Sequence, residues 1–252
     1  MINNQPGNNG LNASQPNKPL PPPSRRKFPP LTLGIILITA LVYGLQIFST
    51  FTIGSDLPYY YFGKINELIL QGQLWRLITP ILLHGSLPHI LSNMYALFII
   101  GPSIERSFGP NRFLALYLLS GMFGNVFSFL FTLAPSLGAS TSIFGLVAAQ
   151  AVYVYRNRAF FGRAAQPMLL NLGIIIFINM AIGLLPGIDY FGHLGGLVGG
   201  LLFAWMAGPL YEVTVTPFGT TLVEKESRHL DRAVLIELIL IFLATLTKFI
   251  IR

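Results

Sequence analysis

The stretch YFGHLGGLVGGLLFAW, residues 190–205, decides the fold class of this chain. It is apolar over almost its whole length, yet it contains His193 and five glycines. Apolar runs of this length are typical of helices that cross a membrane, where the segment must pair its own backbone polar groups. A membrane helix needs neither the histidine nor so many glycines for insertion, so both require a separate explanation.

The rest of the chain has the composition of a membrane protein. Of its 252 residues, 53% are hydrophobic and 10% are charged, whereas soluble domains are about 25% charged. The long apolar runs do not alternate as barrel strands do, which favours a helical bundle. We therefore expect an all-α polytopic membrane protein with seven transmembrane helices, at about 31–53, 87–104, 112–134, 138–155, 168–187, 189–208 and 233–251.

The chain divides into four predicted parts. Residues 1–30 are rich in Asn and Pro and are expected to form a disordered tail. A six-helix core, 31–208, is followed by a polar linker, 209–232, and one additional helix, 233–252. Within the core, the long connection at about 54–84 contains Trp75 and Arg76. It is expected to lie in the outer membrane interface, where Trp is a common anchor.

The distribution of basic residues predicts the orientation. If the N-terminus is cytoplasmic, the outer side holds only four of the 16 Lys and Arg residues: Lys64, Arg76, Lys248 and Arg252. This asymmetry follows the positive-inside rule. The net charge of +7 then reflects the membrane topology and does not indicate nucleic-acid binding. The expected membrane is the plasma (inner) membrane. The chain has no cysteine, which excludes disulfides, thiolate metal sites and a cysteine nucleophile.

Four polar residues lie at the same predicted depth, in the outer third of three helices. His89 and Asn93 are four residues apart on the second helix, Ser140 begins the fourth, and His193 lies near the start of the sixth. Each of these residues, taken alone, is the kind of polar side chain that commonly hydrogen-bonds one membrane helix to another. Together they supply a nucleophile, a base and polar donors, which are the parts needed for acyl transfer to water. No metal or other cofactor is expected.

Small residues on two helices explain how these polar residues would come together. Small residues recur at every fourth position on two helices: Gly192, Gly196 and Gly200, beside Gly195 and Gly199, on the sixth, and Gly145 with Ala149 on the fourth. Close backbone approach there would bring Ser140 within hydrogen-bond reach of His193. Ordinary small-residue packing without chemistry is the alternative. Phe144, one turn from Ser140, is placed to stack on the His193 ring, whereas Asp189 is expected to be a helix cap, so a Ser–His dyad is preferred to a triad.

An ordered set of motifs resembles the rhomboid intramembrane serine proteases. The motifs are WR at 75–76, HGSLPHILSN at 84–93, ERSFG at 105–109, GAST at 138–141 and GHLGGLVGG at 192–200, and the resemblance covers about residues 60–208. It implies a six-helix rhomboid bundle, with the seventh helix as in the six-plus-one members of the family. The implied substrates are transmembrane segments of other proteins, reached within the lipid bilayer and cleaved at a site that opens toward the outer face.

The resemblance also implies residue roles. Ser140 would be the nucleophile and His193 the general base, and His89 and Asn93 would line the oxyanion hole with the backbone amide of Ser140. Three residues, Glu105, Arg106 and Gly109, would stabilise the turn below the second helix.

One position departs from the pattern, because Thr141 stands where the family has glycine after the nucleophile. This departure keeps a second reading open, that of an inactive rhomboid-like protein that binds membrane clients without cutting them. A small-solute transporter is disfavoured, because no internal repeat is visible and the polar residues are not at the midplane. The sequence leaves the oligomeric state open.

Overall fold

The computed structural model describes residues 28–216, 219–224 and 229–251, so most of the expected disordered tail lies outside the described residues. The helices are α1 (Pro30–Ile53), α2 (Leu57–Phe62), α3 (Asn66–Leu70), α4 (Leu87–Phe108), α5 (Pro110–Phe131), α6 (Ser140–Arg156), α7 (Arg158–Phe161), α8 (Ala165–Ile182), α9 (Tyr190–Ala207) and α10 (Leu230–Ile250). Three single 3-10 turns lie at Leu74–Leu77, Thr79–Leu82 and Gly162–Ala164. Two strands, β1 (Tyr211–Thr216) and β2 (Gly219–Glu224), form a hairpin between α9 and α10.

The seven long helices correspond to the seven predicted ones. Within the described ranges, 6 helical segments are long and apolar enough to cross a membrane. The exception is α6, whose 17 residues rise only about 26 Å. Most side chains of α6 are buried against neighbouring helices, so its length need not match the lipid thickness. The chain is therefore an integral, multi-pass membrane protein.

Several predicted helix ends differ from the structure by three to five residues; the second predicted helix, for example, stops at 104, whereas α4 continues to Phe108. The predicted span 168–187 ends in Pro186 and Gly187, and Gly187 has φ +84°. Neither continues a helix, and α8 accordingly ends at Ile182. The predicted span 112–134 is also too long, since α5 ends at Phe131. Residues 132–139, which we call the connecting segment, then lead in a non-helical path to Ser140 at the start of α6.

The linker prediction missed the β-hairpin. The strands pair antiparallel, from Tyr211 opposite Glu224 to Thr216 opposite Gly219. The sequence YEVTVTPFGTTLVE is rich in β-branched residues that flank a Pro and a Gly, a pattern that favours a hairpin. The additional helix packs on the core, since α10 contacts both α5 and α9 and its Glu237 is fully buried.

The centre of the bundle is α9, which packs between α5 and α6. A Cβ on Gly196 would collide with the Thr141 carbonyl of α6, and one on Gly200 would collide with the backbone of Gly145. The second glycine face meets α5, where Gly195 lies against Phe127. Gly192 departs from the expected stripe, because its carbonyl oxygen approaches α5 at Gly124 (2.6 Å from an ideal Cβ there).

Two motif residues act at places that their spacing alone does not show. The Glu105 carboxylate accepts hydrogen bonds from the Leu31 and Thr32 amides, at 3.0 and 2.7 Å, and so caps α1 instead of the turn below α4. The buried Arg76 guanidinium donates to the Gly63 and Tyr60 carbonyls, at 2.7 and 2.8 Å. Arg76 therefore ties the outer connection together, while its neighbour Trp75 stays half-exposed.

Candidate active site

Ser140 and His193 are hydrogen-bonded to each other across the α6–α9 contact. The distance from His193 Nε2 to Ser140 Oγ is 2.9 Å. Ser140 is the first residue of α6, so its backbone N–H is one of the amides that a helix leaves without an internal acceptor. The preceding glycine, Gly138, has φ +131°, a conformation that other residues rarely adopt. The chain therefore turns sharply just before the serine.

Phe144 stacks on the His193 ring, with the ring centroids 4.5 Å apart and the planes at 23°. The Asp189 carboxylate instead caps α9 by accepting the Gly192 amide at 2.9 Å, as predicted. His193 Nδ1 is buried and has no hydrogen-bond partner among the described residues. The described part of the chain therefore holds a Ser–His pair without a third member, and the ring is oriented by packing.

His89 lies beside this pair. The Gly85 amide approaches His89 Nδ1 at 3.5 Å, which makes Nδ1 the acceptor and leaves Nε2 as the N–H donor. An ideal Cβ on Gly138 would lie 2.8 Å from His89 Nε2 and 3.6 Å from Ser140 Oγ. The His89 Nε2–H group and the Ser140 hydroxyl therefore both lie beside Gly138, so His89 is a candidate oxyanion donor.

Asn93 lies one turn further along α4 and is also buried. Its Nδ2 donates to the His89 carbonyl at 3.1 Å, and an amide nitrogen has a second hydrogen to offer. Both His89 and Asn93 line the same cavity as Ser140 and His193. The four residues that were predicted at one depth therefore come together at one place.

The cavity has a volume of about 760 Å³, within the range of about 300–1,000 Å³ that is usual for ligand sites. Its polar lining includes the four residues above together with Ser86, Ser92, Asn179 and Asp189, and Phe144 also lines it. One wall is the connecting segment, and the apolar walls come from α4, α6 and α8: Ala96, Ile100, Ile143, Val147, Ile175, Ile176 and Ile182. Such a cavity can hold an apolar chain beside a polar reaction centre.

Sequence reasoning assigned no role to His84, which the structure places against His89 with ring centroids 4.9 Å apart. Gln46 of α1 holds the His84 backbone, accepting its N–H at 3.0 Å and donating to its C=O at 3.2 Å. Burial lowers the pKa of His84 to about 3, so the ring is neutral. The five-residue spacing of the two histidines was visible in the sequence, whereas the partner on α1 was not.

Comparison with known proteins identifies the family of this chain. The family model described as the Rhomboid domain matches residues 71–210, more than half of the chain. The chain belongs to the rhomboid family. The match begins directly after α3 and includes the rest of the outer connection and all of α4 to α9, while α1, α2, α3 and α10 lie outside it.

Individual relatives show the same likeness. The chain is 42% identical over 147 residues to the rhomboid protease GluP of Bacillus subtilis (58% of this chain, 28% of the relative). It is 33% identical over 159 residues to the chloroplastic RHOMBOID-like protein 9 of Arabidopsis thaliana (63% and 37%). It is 39% identical over 150 residues to RHOMBOID-like protein 1 of the same plant (58% and 38%). The matched regions thus cover less than two fifths of these relatives.

Proposed function

We propose that this rhomboid is an intramembrane serine endopeptidase that hydrolyses peptide bonds in or next to transmembrane segments of other proteins. The observation that carries the proposal is the 2.9 Å contact between Ser140 Oγ and His193 Nε2 at the floor of a cavity inside the bundle. The name of the Bacillus subtilis relative, a rhomboid protease, supports the same activity. The positive-inside pattern supports a cavity that opens toward the outer face of the plasma membrane.

The reaction follows from the positions of the polar atoms. His193 Nε2 accepts the Ser140 hydroxyl proton while Oγ attacks the substrate carbonyl carbon. The resulting oxyanion is placed to accept hydrogen bonds from His89 Nε2–H, the Asn93 amide and the Ser140 backbone N–H. The imidazolium then donates its proton to the departing amine nitrogen as the C–N bond breaks, which leaves an acyl-enzyme.

Water completes the cycle by the same steps in reverse. It loses a proton to His193 Nε2 and attacks the acyl carbon, after which Ser140 Oγ leaves and takes that proton back. The substrate peptide bond must be accessible to Ser140, whereas bilayer helices keep their peptide groups hydrogen-bonded. Segments with helix-breaking residues near the cleavage site are therefore the expected substrates.

The alternative function, an inactive rhomboid-like protein that binds membrane clients without cutting them, had Thr141 as its only support. The Thr141 side chain is buried (4% exposed) and packs on α5, where an ideal Cβ on Gly124 would lie 2.7 Å from Thr141 Cβ. It is not among the residues that line the cavity. The residue in place of the family glycine therefore faces a helix contact instead of the reaction centre, which favours the protease.

The test uses the full chain reconstituted in lipid vesicles with a single-span reporter protein. We expect two products from the reporter, and we expect a fluorophosphonate probe to form one adduct, located on Ser140 by peptide mass spectrometry. The probe should also stop cleavage. Folded protein that binds the reporter yet neither cleaves it nor reacts with the probe would instead identify a client-binding protein.

The oxyanion assignment has its own prediction. Replacing Asn93 with alanine is expected to lower kcat by about 10- to 100-fold, because one of three donors is lost. Ser92→Ala is the matched control, since Ser92 Oγ donates to the same His89 carbonyl at 2.9 Å and its loss should leave kcat nearly unchanged. Equal losses in both variants would show that the effect comes from the His89 carbonyl contact and would contradict the oxyanion role.

A further inference from the structure

Lys64, in the outer connection, holds the carboxyl end of α5. Its side chain is fully buried (0% exposed), and Nζ donates to the carbonyls of Ser128 at 3.3 Å, Thr132 at 3.1 Å and Ala134 at 3.0 Å. An ammonium group has three N–H donors, so each finds one acceptor. Lysine is rarely buried so completely unless it is paired in this way. The negative end of the α5 dipole adds to the attraction.

The backbone of Lys64 also holds the connecting segment, in addition to its side chain. The Lys64 amide donates to the Ser136 carbonyl, and the Ser136 amide donates to the Lys64 carbonyl, both at 3.1 Å. Two residues later, the Gly138 amide donates to the Pro80 carbonyl at 2.9 Å. The Thr132 amide still donates to the Ser128 carbonyl of α5 at 2.8 Å, but residues 133–138 are non-helical, so these contacts from the outer connection help to determine their path.

The segment held by Lys64 is one wall of the cavity. Its lining residues are Thr132, Ala134, Pro135, Ser136 and Leu137. The reaction centre is held differently, because Ser140 and His193 are positioned by the packing of α6 on α9. Displacement of the segment would therefore change how the cavity holds a substrate more than it would change the reactivity of the serine.

From these contacts we propose that Lys64 is a positioning residue that holds the connecting segment as a substrate-binding wall of the cavity. The proposal rests on the proposed proteolytic function, since it concerns substrate binding at that site. Lys64 contacts neither Ser140 nor His193 by hydrogen bonding among the described residues, and so acts only through the segment.

The protonation of Lys64 gives this role a pH dependence. Burial lowers the pKa of Lys64 to about 8, with the charge of Lys248 acting in the same direction and those of Asp189 and Glu67 opposing it. Below that pH, the ammonium supplies three donors to its three carbonyls. Above it, the neutral amine has only two N–H groups, so one of the three hydrogen bonds from Nζ to α5 and the segment is lost. The wall should therefore loosen as the pH rises through about 8.

The experiment compares the wild type with Lys64→Met, Lys64→Arg and the control Lys248→Met in vesicles. Lys248 Nζ binds the same helix end, at the Leu130 carbonyl (3.1 Å), but among the described residues it makes no hydrogen bond to the connecting segment. Active sites are counted with the fluorophosphonate probe, and kcat and KM for the single-span reporter are measured per active site. The measurements cover about pH 6 to about pH 9.5.

We expect Lys64→Met to raise KM about tenfold while kcat changes less than about threefold. Below pH 8, Lys248→Met should leave both constants near the wild-type values, and loss of its charge should move the KM rise to higher pH. In the wild type, KM should rise above pH 8, close to the pKa of Lys64. Lys64→Arg should remove that rise, because a guanidinium stays charged throughout this range.

A merely structural role for Lys64 would reduce the number of active sites and leave KM per active site unchanged, and this result would overturn the inference. If Lys64→Met does not fold, the pH profiles decide, and a wild-type KM that is constant up to about pH 9.5 overturns it equally. A wild type that cleaves normally in either case leaves the proposed function intact. A wild type that neither cleaves nor reacts with the probe overturns the proposed function and this inference together.

Discussion

Ser140→Ala and His193→Ala are each expected to abolish proteolysis, with kcat falling by about 10⁴-fold or more. Ser140→Ala removes the only oxygen that His193 Nε2 contacts among the described residues, at 2.9 Å. His193→Ala removes the imidazole that accepts the serine proton, and among the described residues the Asp189 carboxylate makes no hydrogen bond to Ser140. The measurement is reporter cleavage in vesicles, with substrate binding followed separately.

The two substitutions are also expected to be non-additive. Each removes the same nucleophilic step, so the double variant should be no slower than either single variant. Ser142→Ala is the matched control, because Ser142 is a buried serine of the same helix that faces Gly121 of α5 and does not line the cavity. Cleavage by Ser140→Ala at a rate near that of Ser142→Ala would contradict the mechanism.

Gly196→Ala is expected to damage both stability and activity, although it adds a single methyl group. That methyl would collide with the Thr141 backbone carbonyl, and a backbone atom cannot rotate away as a side chain can. Overpacking of this kind costs about 1–3 kcal/mol. If α9 moves by about 1 Å to relieve the collision, the Ser–His pair separates and kcat falls by about 100-fold.

The control for this prediction is Gly173→Ala on α8, where an added Cβ would meet nothing within 4 Å. We expect its Tm and its fluorophosphonate labelling to match the wild type. Gly196→Ala should show a lower Tm and slow labelling of Ser140 in the same assays. Wild-type behaviour in both assays for Gly196→Ala would mean that the contact between α6 and α9 is looser than the structure shows.

Much of the fold could be predicted because membrane helices are recognised in a sequence by their length and apolarity alone. The predicted ends failed where local breakers were overlooked, as at Pro186 and Gly187 after α8. The hairpin between α9 and α10 was missed because a short polar stretch with β-branched residues resembles a linker until its two strands pair.

The polar residues of the site could be predicted from the sequence, whereas the residues that hold them in place could not. Depth alone grouped Ser140 with His193, since both polar groups lie near the same end of apolar helices. By contrast, Gln46 holds His84 over a separation of 38 residues, and Lys64 holds Ala134 over 70. Such contacts leave no periodic pattern in the chain, because they join a side chain to backbone atoms that every residue has.

The sequence by itself determined the membrane class, the number of long helices and the choice of Ser140, His193, His89 and Asn93 as the polar residues of one layer. These features can be predicted from the sequence because they are local: lipid imposes a length and a polarity on each segment separately. Only the tertiary structure decided that α9 lies between α5 and α6, that Glu105 caps α1 and that Lys64 holds the wall of the cavity. These features depend on which backbone carbonyls and amides are left unpaired once the helices have packed, and that is a property of the assembled bundle.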